Sequence, residues 1–482
     1  MSAATPTAAS DLYLALDQGG HSSRALVFDG NAGIVAQGRA DVATLTPRAG
    51  WVENDPDEVV NSLTESIRQA AQALGPRCRE LVAAGLATQR SSIVCWHRQT
   101  GAALSPVISW QDRRTHAQLK QYQRSGADIH KKTGLFLTAH YGATKLRWCL
   151  DHLPAVRQAH GHGELCWGPL AAFLVFRLLR ERPHLVDPAN ASRTLLWSLR
   201  DNDWEPSLLD LFGLPQGVLP TVVSTRHGYG TLPVGDAAIP LTILTGDQSA
   251  AIFSLGYPQP DAVYINVGTG AFVQRIEGQV PAYNARLLTS MVLRDDDRSV
   301  YALEGTVNGA ASALDWLESA AGVSNIIKNL PEWLAVTSSP PLFLNGVGGL
   351  GAPFWIPNFE NRFIGEGEAW QKAVAVIESI VFLLMVNLEE MQTMRSPPET
   401  IHIGGGLTAL DGLCQRLADL AGLSIYRAAE RESTARGTAF LLAGCPARWP
   451  EHVHGDWFTP RPDAGLRERY HRWSEEMQRS VA

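Results

Sequence analysis

Three turns of small residues and two aspartates mark where this chain of 482 residues could do chemistry. Asp17-Gln-Gly-Gly-His-Ser-Ser23, Gly268-Thr-Gly270 and Gly404-Gly-Gly406 each follow a short apolar run. Glycines there leave backbone N–H groups unobstructed, as an anion cradle requires, and hydroxyls lie beside two of the turns. Taken singly, each reads as an ordinary turn. Together with Asp17 and Asp247 at strand ends they match the needs of phosphoryl transfer. That reaction takes donors around the phosphates, carboxylates that hold Mg²⁺ directly or through water, and a carboxylate that accepts the proton of the attacking hydroxyl. Asp247 has a structural reading too, because Gly246-Asp before Gln-Ser-Ala-Ala opens a helix with an aspartate cap.

Other chemistries find no support. The sequence has no Gly-Lys pair for a Walker loop, no H-R-D or D-F-G, no G-x-S-x-G elbow and no H-E-x-x-H. Gly346-Val-Gly-Gly-Leu-Gly351 matches a dinucleotide fingerprint, but Pro353 and Pro357 follow where a helix would have to start, so it reads as a loop. The pairs His160/His162 and His452/His454 offer two ligands each, short of a zinc set. Six cysteines without a C-x-x-C pair suit reduced structural thiols.

The elements that must position the turns follow from patterning. From Asp11 to Arg39 the text reads as an antiparallel meander: Tyr13–Leu16, the glycine turn, Arg24–Phe28, a turn at Asp29-Gly30, and a third strand. Asp55 as N-cap, Pro56 at the first helical position and Glu58 in capping-box position predict a helix with Val60, Leu63, Ile67 and Leu74 on one face. Three later strands end in polar residues: Leu81–Leu86 before Gln89-Arg90, Val107–Trp110 before Gln111-Asp112, and Leu241–Thr245 before Gly246-Asp247-Gln248. In open α/β sheets ligands sit at such carboxyl ends. The opening pattern recurs at Tyr264–Val267, Gly268-Thr-Gly270 and Ala271–Arg275, which predicts two related domains with a boundary near residue 250. A long apolar helix is expected over Ala369–Met391, a strand over Ile401–Ile403, a helix over Ala409–Ala421 and a terminal helix over Leu466–Gln478.

Composition sets outer limits. With 45% hydrophobic residues and a net charge of −7, the chain can build two or three domains and lacks the bulk basic charge of a nucleic-acid binder. No uninterrupted run of about 18 apolar residues occurs, so no membrane span is expected. Met1–Ser10 lacks a secretory pattern and reads as a disordered lead-in, so a cytoplasmic location is expected.

From Leu14 to about Gly444 the chain resembles the FGGY carbohydrate kinases, and among them the glycerol kinases. The stretches that carry this are Leu16-Asp-Gln-Gly19 with Ser22-Ser-Arg24, Gly50–Pro56, Thr88-Gln-Arg90, Trp110–Thr115, Thr144–Trp148, Asn190–Thr194, Gly246–Ala251, Gly268–Gly270, Glu304-Gly305, Gly349–Pro353 and Gly404–Gly406. The resemblance implies an α/β protein of two actin-like, ribonuclease-H-like domains with a cleft between them. The first, 1–248, would bind substrate and the second, 249–445, ATP, followed by a helical tail over 446–482. It implies ATP and Mg²⁺ as cofactors and transfer to a primary hydroxyl of a small polyol or sugar. In that reading Asp247 is the general base, and Asp17 and Asp247 are the metal-associated carboxylates. Gly19, Gly20, Ser22, Ser23, Arg24, Gly268 and Thr269 approach the phosphates, while Ala311, Asp315, Gly405 and Gly406 line the adenosine pocket. Arg90, Ser91, Trp110, His140, Asp247 and Gln248 would surround the substrate.

Departures from the glycerol-kinase pattern concern specificity. Glycerol kinases have Arg-Glu where this chain has Arg90-Ser91 and a tyrosine at His140, and the family usually has two threonines, or a threonine and another residue, where it has Gly20-His21. A changed or larger acceptor is therefore expected, with slower turnover. The segment Gly230–Asp236 lacks the Gly-Thr-Arg loop that binds fructose bisphosphate in some glycerol kinases, so that inhibition is not expected. A pentulose kinase of the same family is a rival, although the Gly-Gln-Met-His run of xylulose kinases is missing. A non-catalytic actin-like nucleotide or sugar binder is another, and a homodimer or homotetramer is left open.

Overall fold

The computed structural model describes residues 11–481 except 296–297, 322–324, 337–338, 430–431 and 451–453. The expected lead-in at Met1–Ser10 and His452 of the second histidine pair lie outside the described residues.

Alternation decides the two faces of the opening strands. In Leu12–Gln18 the side chains of Leu12, Leu14 and Leu16 enter the main core, whereas Tyr13 and Ala15 belong to smaller clusters on the other face. Asp17 shares that second face by the same alternation. The strand pairs antiparallel with Ser22–Asp29, which pairs antiparallel with Ile34–Asp41, giving the predicted meander. On its other edge it runs parallel to Leu81–Thr88, itself parallel to Ala237–Gly246. An edge strand, Arg226–Val234, completes a six-stranded sheet. Its parallel strands end in register: Gln18 lies opposite Thr88, and Thr88 opposite Gly246. Three polar carboxyl ends are thus brought to one rim.

The helix Pro56–Leu74 covers the core face, capped by Asp55, whose carboxylate accepts from the N–H groups of Asp57 and Glu58. The reciprocal half of the expected capping box does not form. Glu58 instead accepts from Ala43 N at 2.7 Å and ties the end of the meander to the helix. The expected strand at Val107 also differs. Only Val107–Ile108 is extended, and it joins Glu53–Asn54, Ile93–His97 and Leu165–Pro169 in a separate four-stranded sheet. Asp112 explains its early end: its side chain accepts from Val52 N at 2.7 Å and from Arg114, folding the following residues back.

A seven-stranded second sheet repeats this plan. Ala262–Val267 pairs antiparallel with Ala271–Gly278 on one side and parallel with Thr400–Gly404 on the other, as the recurrence in the sequence predicts. Arg298–Val307 and Leu288–Asp295 extend it one way, Ser424–Arg427 and Asp456–Phe458 the other. The helix Ala369–Gln392 packs on its core face. By length and composition this helix could cross a membrane, but 67% of its most apolar stretch is buried within the protein. At its middle, buried Glu378 pairs with Arg416 at 3.4 Å and Arg469 at 2.7 Å. The terminal helix, Ala464–Val481, inserts Leu466, Trp473 and Met477 into the same core, and Trp473 Nε1 donates to Phe343 O at 2.9 Å.

One element crosses between the halves. The helix Ser433–Leu442 lies between the second-sheet strands Ser424–Arg427 and Asp456–Phe458 in sequence, yet Ala435 and Ala439 pack on Ala15, Leu26 and Phe28 of the first. The helix that should begin at Ala409 starts at Asp411, after a 3₁₀ turn over Gly406–Ala409.

Candidate active site

Asp247 opens the helix Asp247–Ala251 directly after Gly246, at the rim where the parallel strands end. Gly246 is required sterically, since a Cβ there would lie 2.6 Å from Cγ and Cδ of Arg90. Arg90 therefore crosses the backbone beside the aspartate, with Nε 3.8 Å from Asp247 Oδ1. Asp247 Oδ1 accepts from Gln248 N at 2.7 Å. The carboxyl is a quarter exposed (25%), and burial raises its pKa above the usual range against the pull of Arg90 and Arg193.

Asp17 belongs to the same site. Burial, then the negative charge of Asp247, raises its pKa to about 7, partly opposed by Arg24. Two carboxylates that disfavour each other's charge suit a divalent cation between them. Among the described residues no third His, Cys, Asp or Glu completes a protein cage. That donor set fits Mg²⁺, which keeps waters and phosphate oxygens in its shell, better than zinc.

The turn at Gly19 is closed by Gly19 N donating to Ser22 O at 3.0 Å, and Gly20 is open to space on its side-chain side. Arg24, opposite Asp17 in register, pairs with Glu432 at 2.6 Å and so joins the first meander to the crossing helix. Ser23 departs from its expected place. It is fully buried with Oγ 2.8 Å from Ser62 Oγ, because alternation turns it away from Ser22 and Arg24 toward the helix Pro56–Leu74. His21 is exposed and its Nδ1 meets Thr44 Oγ1 at 3.1 Å, so Thr44 brings a hydroxyl to the turn.

On the second domain, carbonyls of the Gly268–Gly270 turn occupy the first amides of the helix Ala311–Ala321: Ala311 N donates to Gly268 O at 3.0 Å and Ser312 N to Thr269 O at 3.2 Å. Ala311 is half-buried and Asp315 exposed. Gly405 has φ +98°, and a Cβ there would sit 2.5 Å from Asn266 Oδ1 and Val267 O, while Gly406 faces open space. An open pocket is lined by Gln248 together with Asn266, Gln274 and Gly404 of the second sheet.

The remaining substrate candidates gather around Arg90. Trp110 N donates to Ser92 Oγ at 3.0 Å, and the Trp110 ring lies 5.4 Å from that of His140. Burial, then the charges of Arg193, Arg113, Lys145 and Arg90, holds His140 well below 6.5, so its imidazole is neutral. Ser91 is buried at φ +67°, and its Oγ has no hydrogen-bond partner.

Three residues that organise this arrangement were not singled out from sequence. Lys145, fully buried, donates to Ser109 O at 2.6 Å and His140 O at 2.8 Å, holding the Trp110 and His140 segments together. Glu304, fully buried, meets Arg90 Nη2 at 3.1 Å and Arg193 Nη1 at 3.0 Å. A lone carboxylate in the apolar strand Tyr301-Ala-Leu-Glu was the available signal, because such a charge needs a buried partner.

Residues 12–254 match the N-terminal domain, and residues 263–444 the C-terminal domain, of the FGGY family of carbohydrate kinases. The chain belongs to the FGGY family. A glycerol kinase of Trichlorobacter lovleyi is 34% identical over 97% of this chain and 98% of its own length. One from Alkalilimnicola ehrlichii is 35% identical over 89% of each. The glycerol kinase of Plasmodium falciparum, solved with ADP, has the same fold, with TM-score 0.89, 23% identity and 98% of both chains covered. A gluconate kinase from Lactobacillus acidophilus follows with TM-score 0.84 at 20% identity, covering 98% of each chain. As an FGGY kinase the chain is an ATP-dependent phosphotransferase acting on a sugar or polyol, with two actin-like domains.

Proposed function

We propose that the chain phosphorylates a primary hydroxyl of a small polyol or ketose other than glycerol, with Asp247 as general base. The observation that supports the base is its setting: a carboxylate at the meeting of three strand ends, beside Arg90 but at 3.8 Å. That is beyond hydrogen-bond reach, so Arg90 does not occupy the oxygen that would accept the proton. The raised pKa of Asp247 makes it a stronger base than an exposed aspartate.

In this reading the acceptor lies against Trp110, with Arg90, Ser91, His140 and Gln248 around its hydroxyls. Asp247 takes the proton as the hydroxyl oxygen attacks the terminal phosphate of ATP, and the bond from that phosphorus to the bridging oxygen breaks to release ADP. The turn at Gly19–Ser22 and the Gly268–Thr269 turn direct backbone groups at the phosphates, and Gly405-Gly406 leaves room for the nucleoside. Mg²⁺ held at Asp17 and Asp247, when bound, would offset the charge on the phosphates. Closure of the two domains over both ligands excludes water, which would otherwise compete with the acceptor.

The altered acceptor is supported by Ser91 and His140. A serine hydroxyl and a neutral imidazole stand where glycerol kinases carry a carboxylate and a phenol, and losing a charged hydrogen bond costs about 1.5–3 kcal/mol. The test is a coupled ADP-release assay over glycerol, erythritol, pentitols, ketopentoses and hexoses, with Asp247→Asn alongside. The expected result is release stimulated by a four- or five-carbon acceptor and lost in the variant. Stimulation by glycerol far above all others refutes the altered pocket, and no stimulation above the variant refutes the kinase reading.

A further inference from the structure

The mechanism above uses Arg90 but gives no role to the buried charges it meets, Glu304 and Arg193. Glu304 comes from the second sheet, Arg90 and Arg193 from the first domain, and all three side chains are buried. Glu304 Oε2 accepts from Arg90 Nη2 at 3.1 Å, from Gln274 Nε2 at 3.2 Å and from Ser290 Oγ at 3.3 Å. Arg193 Nη1 meets Glu304 Oε1 at 3.0 Å and donates to Ser290 Oγ at 2.9 Å. Burial pushes the Glu304 carboxyl up, but the guanidiniums of Arg193 and Arg90 overcome this and hold it at about 2, so it is ionised at neutral pH.

Charge counting shows what the cluster does. Two buried guanidiniums face two carboxylates, Glu304 and Asp247, with Asp17 near Asp247 and the neutral His140 and Tyr141 near the guanidiniums. Arg90 could pair with either carboxylate. It hydrogen-bonds Glu304 and stays 3.8 Å from Asp247. We infer that Glu304 is a positioning residue for the reaction: it draws the Arg90 guanidinium to the second domain and keeps it off Asp247, so that the aspartate stays free for the acceptor hydroxyl. Because Glu304 and Arg90 belong to different domains, the acceptor site is complete only while the two are engaged at this point. This rests on the reading of Asp247 as base.

Without the Glu304 charge, Arg90 and Arg193 are left with Asp247 as their nearest anion, and Arg90 moves onto it. Glu304→Gln tests this against Arg90→Met and the double variant. For the panel compound that the unaltered chain phosphorylates fastest, Glu304→Gln is expected to lower kcat/KM by about tenfold to a hundredfold, with KM for ATP within about twofold. In the double variant the loss should stay within about threefold of Arg90→Met alone, since Glu304 acts through Arg90. A crystal structure of Glu304→Gln, which needs no acceptor, should show Arg90 at hydrogen-bond distance from Asp247. Should that variant not fold, Glu304→Asp keeps the charge with a shorter reach and should give the same pattern, weaker. Unchanged kinetics, multiplicative losses in the double variant, equal loss of ATP and acceptor affinity, or Arg90 unmoved would each overturn the inference. If instead the unaltered chain phosphorylates nothing in the panel, the kinase reading fails, while the structural arm still decides the Arg90 position.

Discussion

Ser91 is held in a conformation that a serine does not favour, and replacing it with glycine separates stability from recognition. Its φ of +67° is left-handed, it is 2% exposed, and its Oγ bonds nothing. The left-handed backbone costs a non-glycine residue about 1–2 kcal/mol, and a buried unpaired hydroxyl about 1–3 kcal/mol. Glycine offsets part of this by the extra freedom it gives the unfolded chain, about 0.5–1 kcal/mol. Ser91→Gly should therefore stabilise the ligand-free protein by about 1–4 kcal/mol, raising Tm by about 2–16 °C at about 2–4 °C per kcal/mol for a domain of this size. If the hydroxyl exists to meet the acceptor, the same change removes one neutral hydrogen bond and raises KM for the acceptor about threefold to tenfold, leaving KM for ATP unchanged. Ser91→Ala is the control: it keeps the strained backbone, so it should share the KM rise but less of the Tm gain. Thermal melts without ligand and steady-state kinetics with the best panel acceptor measure both halves. A Ser91→Gly protein that melts at or below the parent, or melts higher with KM unmoved, refutes the reasoning.

Further expectations follow from buried groups. Asp17 has a folded pKa of about 7 against 3.8 for an ordinary aspartate, so the folded chain holds the extra proton between those values. Stability from this group is greatest below about pH 4 and falls as pH rises toward 7; Asp17→Asn should flatten that part of a Tm-versus-pH curve, and a curve of unchanged slope counts against it. Gly405→Ala places a Cβ 2.5 Å from Val267 O at φ +98°, so it should weaken ATP binding measured by calorimetry more than acceptor binding, and equal losses would contradict the assignment of that turn to the nucleotide. Trp473 is fully buried with its indole bonded to Phe343 O, and Trp473→Ala should cost about 3–5 kcal/mol in denaturant melts, a loss under about 1 kcal/mol showing the terminal helix to be dispensable.

Much of the site was legible in the sequence because its signals are local. Glycine turns after apolar runs, an aspartate cap before Pro56 and the alternation of Leu12, Leu14 and Leu16 depend on backbone sterics and residues a few positions apart. The recurrence of strand, glycine turn and strand near Tyr264 gave the second domain for the same reason. Local signals failed where a side chain had a stronger distant partner. Glu58 left its capping box for Ala43 N, and Ser23 turned inward to Ser62.

The sequence by itself determined which chemistry was on offer: the glycine turns, the aspartates Asp17 and Asp247 at strand ends, and the family to which the chain belongs. The tertiary structure decided how that chemistry is held. Arg90 and Glu304 are 214 residues apart, and only the tertiary fold that brings the second sheet's strand Arg298–Val307 to Arg90 makes them partners. The helix Ser433–Leu442 lies on the first sheet although it falls between two strands of the second in sequence, and Lys145 fastens the Trp110 and His140 segments from a separate helix. A buried charge takes whatever opposite charge the fold brings within a few ångströms, because in a poorly polarisable interior no solvent competes. Spacing along the chain carries no record of that choice.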